Sequence, residues 1–279
     1  MDKFQQSDYA GMGMDEFLHE MDCRLAGWHE PLERLRHALA EDELALYCQP
    51  IAALESSIVY PMAEVLVRLH EEEKSFLPPG EFLPLFEHHR MMAELDRWVV
   101  RHALRHLAEG SRFERCAVNV SGQSVRDPAF PLAIAEELFA AHVAGSALVF
   151  EIDETTFLAG GEPLARFAAA VRKMGCGITI DGFGRRAVSF APLQGGWVDY
   201  VKVEGAIVRK LLTSETAEIR LKAIVHVGEV MGFGVIAEMV EDAELLTRLR
   251  SLGVPYAQGF GIAKPRPIEE FAASAKNSA

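Results

Sequence analysis

Gly177-Ile178-Thr179-Ile180-Asp181-Gly182-Phe183-Gly184, followed by Arg185-Arg186, is the stretch whose reading decides the fold. Its β-branched residues predict a short buried strand. The Gly-Phe-Gly behind them reverses the chain and leaves Asp181 at the carboxyl end of that strand. Taken alone, an Asp-Gly pair is a turn whose carboxylate accepts backbone N–H bonds. The rest of the chain supplies the company that changes this reading.

Similar apolar runs occur at Leu44 to Ile51, Ser57 to Val67, Cys116 to Val120, Leu148 to Ile152, Val198 to Val203, Gly234 to Ala237 and Val254 to Gln258. Amphipathic helical stretches separate most of them: Glu81 to Leu107, Pro131 to Val143, Glu162 to Met174, Ala206 to Leu212 with Ala217 to Met231, and Asp242 to Leu252. Strands alternating with helices call for a largely parallel sheet. Eight such units suit a TIM-type (β/α)8 barrel of the α/β class better than an open doubly wound sheet. No GxGxxG or Walker loop opens any of the helices, which argues further against a dinucleotide or P-loop fold. Residues 31–267 form the expected barrel domain, 1–30 an N-terminal extension and 268–279 a C-terminal tail. In the extension, Phe17, Leu18, Met21, Leu25 and Trp28 stand at helical spacing. That is one packed helix face, or a surface for a protein partner or a homodimer.

The 279 residues carry 41 Asp plus Glu against 28 Lys plus Arg, a net charge of -13. A basic face wrapping a nucleic-acid duplex is therefore not expected. A small anionic ligand needs a local counter-charge. Four scattered cysteines without a CxxC pair read as buried free thiols of a cytoplasmic protein. No apolar run approaches the roughly 20 residues of a membrane span, and the first residues lack a signal peptide's basic start.

In a barrel of this kind the carboxyl ends of the strands share one mouth. Reading those ends gives Glu64, Asn119, Glu151, Asp181, Lys202, Glu238 and Gln258. Carboxylates brought face to face repel: two unit charges 4 Å apart cost about 4 kcal/mol at an effective dielectric near 20. A hard divalent cation resolves the conflict, and an all-oxygen set of Glu64, Asn119, Glu151 and Asp181 suits Mg²⁺ or Mn²⁺, with Ca²⁺ as a competitor. Zinc fits poorly, because no histidine stands at a strand end. Such a mouth attracts phosphate and can activate water, with Lys202 and Glu238 to position or deprotonate it.

Gln49-Pro50-Ile51, Glu64-Val65-Leu66-Val67-Arg68, Asn119-Val120-Ser121, Glu151-Ile152-Asp153-Glu154, Asp181-Gly182-Phe183-Gly184, Lys202-Val203-Glu204, Glu238-Met239-Val240-Glu241 and Gln258-Gly259-Phe260 together resemble the EAL domain of cyclic di-GMP signalling, in order and spacing. The resemblance implies a modified barrel whose first strand runs antiparallel, and hydrolysis of cyclic di-GMP to pGpG with two Mg²⁺ or Mn²⁺ ions. It implies Glu64, Asn119, Glu151 and Asp181 as ligands of one metal, with Asp181 bridging to a second that Glu238 also holds. It further implies Lys202 as the group orienting the attacking water, and Glu241 and Gln258 as supports of the inner shell. Glu154 would anchor the loop after the fifth strand, and Gln49, Arg68, Glu241 and Gln258 would contact the ligand. A guanidinium at Arg68 matches phosphate through its fork of donors.

The match breaks on the opening stretch. Active members carry two consecutive aspartates where this chain has Asp181-Gly182, so the second metal loses a carboxylate and hydrolysis is expected to slow greatly. The following loop is also altered, with Arg185-Arg186 where the family has Thr-Gly, and that loop shapes the metal site and the dimer contact in the family. The two arginines are solvated loop charges, or cations that hold the dinucleotide phosphates where a metal has been lost. Three functional readings follow: a cyclic di-GMP receptor, a slow or conditional phosphodiesterase, and a ligand-independent interaction module. Gly182→Asp is expected to raise turnover where the missing carboxylate is the main defect.

Overall fold

The computed structural model describes residues 31–55, 59–70, 76–77, 79–185 and 188–273, and its chain divides into two compact units. The larger unit comprises Leu46–Val67 and Met92–Ala279, the smaller Met1–Ala45 and Arg68–Met91. The stretch Met14 to Trp28 lies outside the described residues, as do Cys23 and Arg186.

Ten strands occur among the described residues: β1 (Leu44–Ala53), β2 (Val59–His70), β3 (Phe76–Leu77), β4 (Arg115–Asn119), β5 (Leu148–Asp153), β6 (Gly177–Phe183), β7 (Tyr200–Val203), β8 (Gly234–Ala237), β9 (Tyr256–Ala257) and β10 (Arg266–Pro267). β2, β4, β5, β6, β7, β8 and β9 pair in that order, every step parallel. β1 closes the ring by pairing with β2 and, antiparallel, with β9 through Ala52 opposite Ala257. The result is an eight-stranded (β/α)8 barrel with one reversed strand. Its cause is local: only 54–58 separate β1 from β2, too short for the crossover that a parallel pair requires.

Outside the barrel, helices bury one apolar stripe each. Gly161–Lys173 packs Leu164, Phe167, Ala168 and Val171 inward, and the Phe167 ring meets Phe150 of β5 edge-on at 5.8 Å. Burial of Leu164, Phe167 and Val171 stabilises the fold by roughly 1.5–3 kcal/mol each. The stretch expected as one helix from Glu81 to Leu107 is two, Pro79–His88 in the smaller unit and Met92–Glu109 in the larger, broken where Arg90 takes φ 58°. Ala206 to Leu212 shortens to a single turn, Gly205–Val208. Residues 268–273 are docked: Ile268–Phe271 form a 3₁₀ turn, Arg112 N–H donates to Phe271 O, and Ala273 N–H to Gly110 O.

In the smaller unit, helix Pro31–Ala40 buries Leu35 and Ala38, and Arg34 ion-pairs with Glu43. There the end of β2 pairs antiparallel with β3, Leu69 opposite Leu77.

Inside the barrel the two ends differ in chemistry. Toward the amino ends of the parallel strands, Ile51, Met62 and Ile236 cluster with Tyr200 and Tyr256, and Arg115 donates to the Tyr200 hydroxyl at 2.6 Å. The charged groups collect at the other end.

Candidate functional site

Strand register delivers the site. β4, β5 and β6 run level, so Asn119 stands beside Glu151 and Glu151 beside Thr179. Asp181 follows two residues on, which keeps it on the same face of β6 as Thr179. Between the pairs Ile180/Val201 and Phe183/Val203, β6 spends two residues, Asp181 and Gly182, where β7 spends one, Lys202. This bulge sets Gly182 at φ 65°, a left-handed conformation that glycine adopts at no steric cost. Bulges of this kind re-aim a neighbouring side chain.

That neighbour is Asp181, and it turns toward Lys202. The Lys202 ammonium lies 2.9 Å from Glu64 Oε2, 3.0 Å from Glu151 Oε2, 3.2 Å from Glu238 Oε1 and 3.4 Å from Asp181 Oδ1. Lys202 is 2 % exposed and Glu151 1 %. One buried cation thus gathers four carboxylates from four further strands or their exits. Amides complete the ring. Asn119 Nδ2 donates to Glu64 Oε1 at 2.9 Å, and Gln258 Nε2 to Glu64 Oε2 at 2.7 Å and to Gln49 Oε1 at 3.2 Å.

Electrostatics sorts the carboxylates into different states. Burial pushes Glu64 up, but the Lys202 charge and hydrogen bonds from Asn119, Lys202 and Gln258 bring it below the usual carboxylate range. Burial holds Glu151 well above that range against Lys202, helped by the Glu64 and Asp181 charges. Glu238 is pushed up to about 8 by burial, with Asp181 and Glu64 adding to the effect. Burial alone would discharge Lys202, yet the facing Asp181, Glu151, Glu64 and Glu238 hold its proton more tightly than usual.

Among the described residues three buried oxygens of this ring lack hydrogen-bond partners, Glu151 Oε1, Gln258 Oε1 and Asp181 Oδ1, the last close to Lys202 but misaligned with it. Buried unpartnered acceptors among oxygen donors fit a hard divalent cation. Among the described residues no three His, Cys, Asp or Glu side chains already stand as a metal-holding cluster, and the centre is held by the Lys202 ammonium.

The remaining expected residues fall as follows. Glu154 follows the cap Asp153, whose carboxylate accepts from Thr155 and Thr156 N–H, and Glu154 Oε1 accepts from Gly184 N–H at 2.8 Å. It therefore ties the end of β5 to the loop beyond β6. Arg68 is half-buried on β2, four residues past Glu64, and belongs to the smaller unit. Glu241, expected as a support of the inner shell and a ligand contact, is exposed and makes no hydrogen bond or ion pair among the described residues. Just before it Gly259 packs on the backbone, where a Cβ would lie 2.2 Å from Val240 O. Arg185 is not a free loop charge: its Nε donates to Glu204 Oε2 at 2.6 Å.

One buried carboxylate escaped the sequence reading. Asp96, on helix Met92–Glu109, accepts from Ser121 N–H at 2.9 Å and from the Ser124 hydroxyl at 2.6 Å, and so holds the turn that follows Asn119. An acidic residue among Leu95, Trp98 and Val99 on a buried stripe was its signal.

Residues 32–265 match the model of the EAL domain. This chain belongs to the EAL domain family. Cyclic di-GMP phosphodiesterase PdeB of Shewanella oneidensis is 33 % identical over 241 residues, an alignment covering 85 % of this chain and 28 % of that protein. The chain thus spans under a third of that relative's length. Among solved structures, the complex of the PaMucR phosphodiesterase with c-di-GMP aligns over 86 % of this EAL chain and 98 % of its own, at 26 % identity and a TM-score of 0.78. The FimX EAL domain from Pseudomonas aeruginosa bound to c-di-GMP aligns over 88 % of this chain and all of its own, at 25 % identity and a TM-score of 0.80. Among the described residues, no helix of this EAL chain is long and apolar enough to cross a membrane.

Proposed function

We propose that this EAL chain binds cyclic di-GMP at the mouth formed by Glu64, Asn119, Glu151, Asp181, Lys202, Glu238 and Gln258, with hydrolysis lost or strongly reduced. The observation that carries the reading is the convergence on Lys202. Four carboxylates within 3.4 Å of one buried ammonium are costly to keep together, and such a cluster is retained where charge chemistry is performed. Relatives named as phosphodiesterases and structural neighbours titled as c-di-GMP complexes support the choice of ligand. The weakness lies at the β6 bulge, where Gly182 brings no carboxylate beside Asp181.

Glu64, Asn119, Glu151, Asp181 and Glu238 would hold Mg²⁺ or Mn²⁺, with Ca²⁺ as an inhibitory competitor. When bound, a divalent ion supplies Lewis acidity and an acidified water. The chain's own groups do the rest. Gln258 and Asn119 keep Glu64 oriented and ionised, Lys202 orients the attacking water, and Gln49 contacts the nucleotide. A homodimer, or a partner reached through Met14 to Trp28, would carry the output.

Titration calorimetry with cyclic di-GMP in Ca²⁺ tests the reading. Wild type is expected to bind, and Glu151→Gln to bind at least tenfold more weakly. A wild-type chain that takes up no nucleotide would sink it. The second reading, a slow phosphodiesterase, is favoured by the survival of the Lys202 cluster, and is marked by pGpG accumulating with Mn²⁺.

A further inference from the structure

Two residues that set this chain apart from active members, Gly182 and Arg185, form one contact group with Glu204. A Cβ on Gly182 would meet Arg185 Nη2 at 2.7 Å, Cζ at 3.1 Å and Nε at 3.4 Å. The guanidinium therefore lies over the spot from which any side chain at position 182 would project. Glu204, at the exit of β7, holds it there by accepting from Nε at 2.6 Å. With Nε engaged, Nη1 and Nη2 have no hydrogen-bond or ion-pair partner among the described residues. Half of the guanidinium fork is anchored and half is open.

Electrostatics agrees with the geometry. The Glu204 hydrogen bond holds the Arg185 proton more tightly than usual, and the charges of Asp181 and Asp153 add to it. In a chain of net charge -13 the guanidinium stands within reach of the Asp181 charge, and Lys210 and Arg220 line the same pocket as Arg185. Its open edge suits a phosphodiester oxygen, because arginine pairs with phosphate through parallel N–H donors and keeps its charge at any physiological pH.

We propose that Arg185 is a resident cation standing in for the charge of the second metal. Fixed on Gly182 by Glu204, it binds a non-bridging oxygen of the dinucleotide's phosphodiester through Nη1 and Nη2. The two changes are then one exchange. A carboxylate that would recruit a mobile cation is replaced by glycine, which makes room for a covalent one. Retention of the ligand at this point no longer depends on a second divalent ion. A guanidinium activates no water, so binding is kept where turnover is given up. The inference rests on cyclic di-GMP being the ligand of the mouth.

The test is titration calorimetry of the full chain with cyclic di-GMP, once in EDTA and once in excess Ca²⁺. It compares wild type with Arg185→Ala, Arg185→Lys and Gly182→Ala, each first checked for a wild-type thermal unfolding curve. Wild type is expected to keep measurable affinity in EDTA. Arg185→Ala and Gly182→Ala, the latter by pushing the guanidinium aside, are expected to lose at least tenfold there, and Arg185→Lys to lose less than Arg185→Ala. The loss in Ca²⁺ is expected to be smaller. Wild-type affinity retained by Arg185→Ala in EDTA would overturn the role of Arg185 while leaving the ligand assignment intact. Binding by wild type only in Ca²⁺ would overturn it equally. Absence of wild-type binding in both conditions would instead remove the ligand assignment on which it rests.

Discussion

Lys202 Nζ donates to Glu151 Oε2 at 3.0 Å in a site where both residues are almost fully buried. Removing one partner of a buried pair leaves its charge uncompensated, which typically costs about 3–5 kcal/mol. Lys202 here has three further carboxylates to compensate, so Lys202→Met is expected to reach the upper part of that range. In a chain of this size that is a fall in Tm on the order of 10 °C without metal. Added Mn²⁺ is expected to raise the Tm of the variant more than that of wild type, because the carboxylates no longer face an ammonium. Differential scanning fluorimetry with and without Mn²⁺ checks both; equal responses to Mn²⁺ would contradict the arrangement.

Asp96 gives the fold a pH dependence. Burial raises its carboxyl from 3.8 to about 6, against hydrogen bonds from Ser124 and Ser121 that pull it down. The folded chain then holds this proton more tightly than the unfolded one, so the stability contributed is fully present below 3.8 and is lost as pH climbs through about 6. At about 1.4 kcal/mol per pKa unit the loss is roughly 3 kcal/mol. Asp96→Asn keeps an oxygen to accept from Ser121 and Ser124 but has no proton to lose. Urea unfolding between pH 4 and 7 should show a flatter profile for the variant; parallel profiles would exclude Asp96 as the source.

Gly182→Asp alone should restore little turnover. The expectation that one carboxylate repairs the site meets the contact between position 182 and Arg185, whose guanidinium would lie within 3 Å of the new Cβ. A carboxylate there pairs with Arg185 rather than with a cation. The double variant Gly182→Asp, Arg185→Ala frees it, and is expected to produce pGpG at least tenfold faster than the single variant, followed by chromatography. Equal rates in the two would show that Arg185 does not guard the position.

Much of this was legible along the chain, for a physical reason. Short β-branched runs alternating with helices and ending in polar residues read as barrel strands whose ends meet at one mouth, so Glu64, Asn119, Glu151, Asp181, Lys202, Glu238 and Gln258 were readable as a set. The break at Arg90 was not, because the apolar period runs on through Met91 and only a left-handed residue interrupts it. The bulge at Asp181-Gly182 depends on how β7 pairs, which lies some twenty residues away in sequence. The anchoring of Ser121 by Asp96 and of Arg185 by Glu204 are likewise long-range contacts without a local signature. The exposure of Glu241 was likewise not legible from its motif position, since it depends on Gly259 packing against the Val240 backbone.

The most direct test of the central claim is to incubate the full chain with cyclic di-GMP and Mn²⁺, separate protein-bound from free nucleotide, and chromatograph both fractions. The account predicts intact cyclic di-GMP retained on the protein, with pGpG forming slowly or not at all. Nucleotide that stays intact and free, or that is converted to pGpG within a few minutes, would contradict it.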